Sequence, residues 1–240
     1  MRLSVLDVGS NTVNLLVADA GGGVPVRTWK TRTRLAEWLE PDGTVPPPGR
    51  RLVIDAVRQA AGELRDTRPE ALFAYATAVI RDAPNRDRVL AEVDDATGIR
   101  LGTLSGVEEA RLTFLTARRW LGWQAGPMLL ADIGGGCLEV AFGRDRLPES
   151  ALSLPLGAGR LTREFLGDAD PPSRRAVRRL RRHVRDEVQQ VAAGRSWDAP
   201  HTAVAASKTF QQLARLTGAA PLRQGPLVPR RLRRSALRPW

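Results

Sequence analysis

Leu3-Ser4-Val5-Leu6-Asp7-Val8-Gly9-Ser10-Asn11-Thr12-Val13-Asn14-Leu15-Leu16-Val17-Ala18 is the stretch on which the reading of this chain turns. Two apolar, β-prone runs flank four small or polar residues, which predicts strand, tight turn and strand again. The pattern returns 125 positions later: Ala131-Asp132-Ile133-Gly134-Gly135 repeats Leu6-Asp7-Val8-Gly9-Ser10, and Leu138-Glu139-Val140-Ala141-Phe142 repeats the second strand. Each copy ends a buried strand on an aspartate and follows it with a glycine turn. Two such hairpins opening two halves predict a duplicated, two-lobed α/β molecule with a facing cleft. The division is expected near Trp123–Pro127, giving an N-terminal lobe over 1–125 and a C-terminal lobe over 126–240.

Outward from the hairpins, strand and helix patterns alternate. Leu52, Val53, Ala56, Val57, Ala60 and Leu64 recur at helical spacing, Leu72–Thr77 reads as a short buried strand, and 85–97 reads as a helix. Ile99–Leu104 is then a strand and 107–120 a helix. In the second half, Ala151–Leu154 reads as a strand and Gly157-Ala158-Gly159 as a turn. A helix follows from Ser173 to Ala193, with an apolar stripe of Val177, Leu180, Val184, Val188 and Val191 and Gly194 as its stop. His201–Ala205 reads as one more strand, and Phe210–Leu216 opens a helix. Beyond Pro221 the chain is rich in Arg and Pro without periodicity.

The charge is unevenly placed along the 240 residues. The formal net charge is +11, and Lys30 and Lys208 are the only lysines among 37 basic residues. Residues 1–150 carry a net −1 and residues 151–240 a net +12, with seven arginines between 174 and 185. An anionic partner is expected, and the partition directs attention to a polyanion reaching the second half rather than to nucleic acid. A single cysteine, Cys137, cannot form an intrachain disulfide. With no secretory signal after Met1-Arg2 and no apolar run near the ~18 residues of a membrane helix, a soluble cytoplasmic protein is expected.

An aspartate beside a glycine turn places a carboxylate and several backbone N–H groups at one point. Such amides bind phosphate oxygens, and such a carboxylate can hold Mg²⁺ through water. One hairpin of this kind is an ordinary β-turn, whereas two across a duplication point to phosphate. Ser105 with Glu108 fits a capping box, and Glu109 is either a solvated surface carboxylate or, if it points into the cleft, one that could orient or deprotonate a water. Arg81 follows a strand and is either a surface arginine of an Arg-rich protein or a bidentate clamp for a phosphate, and Glu139 is either a metal ligand or one polar face of a strand. His183 and His201 lack partners at metal spacing.

Asp7-Val8-Gly9-Ser10-Asn11-Thr12, Ala76-Thr77 with Arg81, Ser105-Gly106-Val107-Glu108-Glu109-Ala110-Arg111-Leu112 and Asp132-Ile133-Gly134-Gly135-Gly136 together resemble the exopolyphosphatase/guanosine pentaphosphate phosphohydrolase (Ppx/GppA) family. The glycine hairpins are shared with the wider sugar-kinase/actin superfamily, and the Ser-Gly-x-Glu-Glu-Ala-Arg segment is the specific part. The resemblance implies an actin-like ATPase (ribonuclease H-like) fold with polyphosphate entering an inter-lobe cleft. It makes Glu109 the catalytic base, with Asp7, Asp132 and Glu139 at the Mg²⁺. Ser10, Asn11, Arg81 and the amides of Gly134, Gly135 and Gly136 become the phosphate ligands. It further implies a homodimer.

The resemblance has three departures. Cys137 stands where a hydroxyl residue is common. Lys208 stands where much of the family has glycine, adding charge at the cost of a permissive backbone position. Family members continue with further helices past the point matching Trp240, so the second lobe is expected to be incompletely packed. The leading expectation is a Mg²⁺-dependent exopolyphosphatase. Guanosine pentaphosphate 5′-phosphohydrolase, a kinase of the same superfamily and a non-catalytic polyanion-binding protein are the alternatives.

Overall fold

A computed structural model describes residues 1–21, 25–167, 169–193, 200–225 and 227–238. Gly194, the expected stop of the Arg-rich helix, lies outside the described residues. The chain forms two compact units, Met1–Ser105 and Gly106–Trp240.

The first unit begins with β1 (Arg2–Val8) and β2 (Thr12–Asp19), the hairpin of the opening stretch, followed by β3 (Arg27–Arg32). Then come α1 (Pro47–Thr67), β4 (Ala71–Ala76), α2 (Ala78–Arg81), α3 (Arg86–Thr97) and β5 (Gly102–Thr103). The sheet runs β3-β2-β1-β4-β5. β1 pairs antiparallel with β2 and parallel with β4, so α1 is a crossover between parallel neighbours. Alternation along β1 and β2 sends Leu6, Val8, Val13, Leu15 and Val17 into a core closed by Val53, Val57 and Ala60 of α1 and Val89 and Val93 of α3. Arg50 is buried in this unit and ties the two helices together, its Nε 2.7 Å from Glu92 Oε2 and one Nη 3.0 Å from the Val45 carbonyl. On the other face Val5, Leu16 and Phe73 are register neighbours and stay 40%, 39% and 46% exposed.

The second unit opens with α4 (Gly106–Leu121), followed by β6 (Met128–Ile133), β7 (Leu138–Gly143) and β8 (Ser150–Leu154). Next are α5 (Ala158–Leu161), α6 (Arg174–Ala192), β9 (Thr202–Ala206) and α7 (Ser207–Leu216). Its sheet runs β8-β7-β6-β9, with β6 antiparallel to β7 and parallel to β9. β6, β7, β8 and β9 therefore answer to β1, β2, β3 and β4 in order and direction, which is the duplicated α/β plan expected from the paired hairpins. α4 covers one face through Ala110 and Phe114 against Met128, Leu130 and Ala141. On the other face Leu129, Ala131, Ile133 and Val140 line an apolar cavity of about 310 Å³ whose far wall includes Val188, Val191 and Phe210.

The division differs from the expected one. It falls after Ser105 instead of near Trp123–Pro127, because Ala110 and Phe114 belong to the core of the second sheet, and α4 with Glu109 goes with them. β3 escapes the sequence reading because Arg27, Lys30 and Arg32 interrupt its apolar content, yet it pairs along its whole length with β2. The expected strand over Ile99–Leu104 shrinks to two residues, since Ile99 and Leu101 are drawn into the core instead. α6 carries the expected apolar stripe, with Val177, Leu180, Val184 and Val191 half-buried and Val188 exposed, but has no buried residue. Among the described residues no helix is long and apolar enough to cross a membrane.

Candidate active site

The two aspartate–glycine turns close identically. Gly9 N–H donates to the Thr12 carbonyl at 2.9 Å, and Gly134 N–H donates to the Cys137 carbonyl at 2.9 Å. In each turn the carbonyls are then tied back by a later segment. The Ser10 carbonyl accepts from Ala36 N–H, and that of Asn11 from Thr33 and Arg34 N–H, all at 3.0 Å. The carbonyls of Gly134, Gly135 and Gly136 accept from Ala158, Arg160 and Gly157 N–H at 2.9, 3.0 and 3.2 Å. In a trans peptide the C=O of one residue and the N–H of the next point opposite ways. Holding these carbonyls therefore aims the N–H groups of Asn11, Gly135 and Gly136 outward, and none of the three has a partner among the described residues. Outward amides of this kind form a nest for anionic oxygens. Gly134 is an exception among the expected ligands, because its amide closes the turn.

Gly157 is essential to the second turn. A Cβ on it would lie 2.2 Å from the Gly136 carbonyl carbon and 2.4 Å from the Cys137 nitrogen. The sequence shows a glycine turn at 157–159, and the structure gives it its purpose as the brace under the anion nest.

Behind each turn, three residues stand side by side across adjacent strands. In the first unit they are Asp7, Asn14 and Lys30. Asn14 donates to Asp7 Oδ2 at 3.2 Å. Burial pushes the Asp7 carboxyl up, and the Asn14 hydrogen bond and the Lys30 charge partly oppose this. In the second unit the three are Asp132, Glu139 and Ser153. Glu139 is buried and accepts from Ser153 Oγ at 2.9 Å. Burial raises the Asp132 carboxyl as well. This row shares its sheet face with Leu130 and Ala141, the face covered by α4. Glu109 lies in the first turn of α4, half-buried. One unit thus carries the expected base and two of the three expected cation ligands.

The row suits Mg²⁺ as a partial cage. Two carboxylates face each other across β6 and β7, and burial of Asp132 makes its negative charge costly without a cation. Mg²⁺ typically takes one or two carboxylates and fills its remaining positions with water and phosphate. Among the described residues no group of three or more His, Cys, Asp or Glu is set to hold a metal unaided.

Arg81 sits differently from expectation. Its Nε donates to Asp82 at 2.9 Å and one Nη to the Leu104 carbonyl at 3.1 Å, which braces α2 against the segment after β5. Cys137 is buried and free of disulfide. At the start of α7 the left-handed backbone falls on Ser207, with φ 86°, and not on Lys208. A non-glycine residue there is strained, and it sits one residue beyond Ala206, the strand partner of Asp132.

Residues 15–235 match the Ppx/GppA phosphatase family. The chain belongs to that family. An uncharacterized protein of Streptomyces coelicolor is 55% identical over 240 residues, covering 99% of this chain and 71% of that protein. Exopolyphosphatase 1 of Mycobacterium tuberculosis is 49% identical over 246 residues, covering 99% of this chain and 70% of that protein. The crystal structure of the Aquifex aeolicus Ppx/GppA family member matches with a TM-score of 0.72 at 26% identity, over 90% of this chain and 69% of that one. Membership places the paired sheets in the actin-like ATPase fold class, as the motifs imply.

Within this Ppx/GppA chain the structure brings Glu109, Asp132, Glu139, Gly135 and Gly136 into one unit and Asp7, Ser10, Asn11 and Arg81 into the other. Sequence reasoning missed Asn14, Lys30 and Ser153. Asn14 is aligned with Glu139 by the 125-residue repeat, and that alignment is the signal that could have found it.

Proposed function

We propose that this chain is an exopolyphosphatase that hydrolyses the terminal phosphoanhydride of inorganic polyphosphate. The kinship over nearly its whole length with proteins named exopolyphosphatase 1 carries the reading. The outward amides of Asn11, Gly135 and Gly136 supply the chemistry it requires, since they bind phosphate oxygens and ask nothing of a nucleoside or a sugar. Asp132 and Glu139 of the second unit would hold Mg²⁺. When bound, that ion neutralises charge on the phosphate oxygens. Glu109 orients the attacking water and takes its proton, while the outward amides of Gly135 and Gly136 in the same unit bind oxygens of the phosphoryl group. Phosphoryl transfer depends mainly on such positioning and charge stabilisation. The exposed arginines of α6, among them Arg174, Arg178 and Arg182, give a long polyanion a surface to follow.

The test is release of orthophosphate by the 240-residue protein from polyphosphate and from guanosine pentaphosphate, side by side with Mg²⁺. Faster release from polyphosphate is expected. Release confined to guanosine pentaphosphate would move the assignment to 5′-phosphohydrolase, and salt-sensitive binding without turnover would make the protein a polyanion binder. A homodimer is proposed as its assembly, checked by light scattering.

A further inference from the structure

Ser153 has two contacts that together span the candidate site of the second unit. Its hydroxyl donates to Glu139 Oε1 at 2.9 Å. Its side chain also sits against Gly106, the first residue of α4, so closely that a Cβ on Gly106 would lie 2.2 Å from both Cβ and Oγ of Ser153. Glu109 is in the first turn of that helix, three residues on. A single β8 side chain therefore touches the start of the helix bearing the proposed base and the carboxylate of a proposed cation ligand. The matched position in the first unit is Lys30, so the repeat does not dictate the serine.

A carboxylate has two oxygens and rotates about its last bond unless something fixes it. A hydroxyl that donates to Oε1 stops that rotation and fixes the plane of the carboxylate. Outer partners of this kind typically alter metal affinity 10–100-fold when removed. We propose that Ser153 is a positioning residue: it orients the Glu139 carboxylate for the divalent cation and sets the start of α4, with Glu109, beside it. This deepens the exopolyphosphatase reading and rests on it, while predicting a property of the resting protein that needs no turnover.

The experiment measures Mn²⁺ binding to the protein alone by electron paramagnetic resonance, with polyphosphate hydrolysis followed in parallel as Mn²⁺ is varied. Ser153→Ala should weaken Mn²⁺ about tenfold, and hydrolysis lost at low Mn²⁺ should return as the metal is raised. A second variant, Gly106→Ala with Ser153→Gly, restores the room at the helix start without the hydroxyl. It should melt near the wild type yet bind Mn²⁺ as weakly as Ser153→Ala. Mn²⁺ affinity within twofold of wild type in Ser153→Ala, or full affinity in the paired variant, would overturn the proposal and leave Ser153 a packing residue. A wild-type protein that binds Mn²⁺ but releases no phosphate would sink the functional reading while leaving the metal comparison intact.

Discussion

At three matched positions the two halves of this molecule carry different charges. The first unit has Asp7, Asn14 and Lys30, whose one carboxylate and one ammonium sum to zero, and the second has Asp132, Glu139 and Ser153, whose two carboxylates sum to −2. The strands, the register and the turn hydrogen bond at 2.9 Å are common to both. Duplication therefore preserved the backbone device that turns these amides outward and let the side chains behind it diverge. The first unit sets Asn14 and Lys30 against its aspartate, and the second sets another carboxylate, Glu139, beside it. The proposed base, Glu109, stands with the half that carries two carboxylates in this row.

The comparison can be broken most severely at Glu109. Glu109→Gln should lower the rate of polyphosphate hydrolysis by about 10²–10⁴ while polyphosphate binding persists, because a general base contributes that range. An unchanged rate would remove the base from the second unit. Next in size, Glu139→Asn gives the second unit the side-chain type of the first. Mn²⁺ affinity of the free protein should fall on the order of 10–100-fold. The reciprocal Asn14→Glu should leave affinity within about twofold if the cation belongs to the second unit alone.

Two smaller effects set the halves against each other in pH. In the first unit, hydrogen bonds from Arg88 and Arg50 hold the Glu92 carboxyl below its usual range. Its contribution is present at neutral pH and is lost as pH falls through that lowered value. Glu92→Gln, which leaves the buried Arg50 without its carboxylate, should cost about 1–3 kcal/mol at neutral pH, read by urea unfolding, and the deficit should shrink on acidification. In the second unit burial raises the Asp132 carboxyl, so the sign reverses: stability is fullest below the ordinary aspartate range and declines as pH rises through the raised value. Asp132→Asn should therefore raise the neutral-pH melting temperature of metal-free protein by about 2–4 °C, equivalent to ~1 kcal/mol, and saturating Mn²⁺ should reverse the ranking. A variant that melts lower without metal would show that Asp132 is already compensated.

The sequence is a good guide wherever a period or a repeat marks an element. The 125-residue repeat finds both hairpins, both turns and the duplicated architecture, and helical spacing finds α1, α3, α4 and α6. It fails where an element is defined by its neighbour. β3 exists because β2 offers it an edge, and Arg27, Lys30 and Arg32 conceal it from any hydrophobic pattern. The boundary after Ser105 depends on where Phe114 packs, which no local property of α4 reveals. Among site residues, Asp7, Glu109, Asp132 and Glu139 are legible as motif positions. Ser153 is not, because its role arises from strand register and from the missing side chain at Gly106. Arg81 is legible as a motif position and is nonetheless engaged in bracing.

The Arg-rich α6 has consequences for how the molecule opens. None of its residues is buried, and Val188, on its apolar stripe, is 43% exposed beside the apolar cavity. Releasing it would break no side-chain contact of the α4-covered core, so its amides should exchange with solvent well before those of β6 or β7. Its arginines should then be open to trypsin before any arginine of the α4-covered core. A helix that carries seven of the protein's 37 basic residues is thus held in place without a single buried side chain.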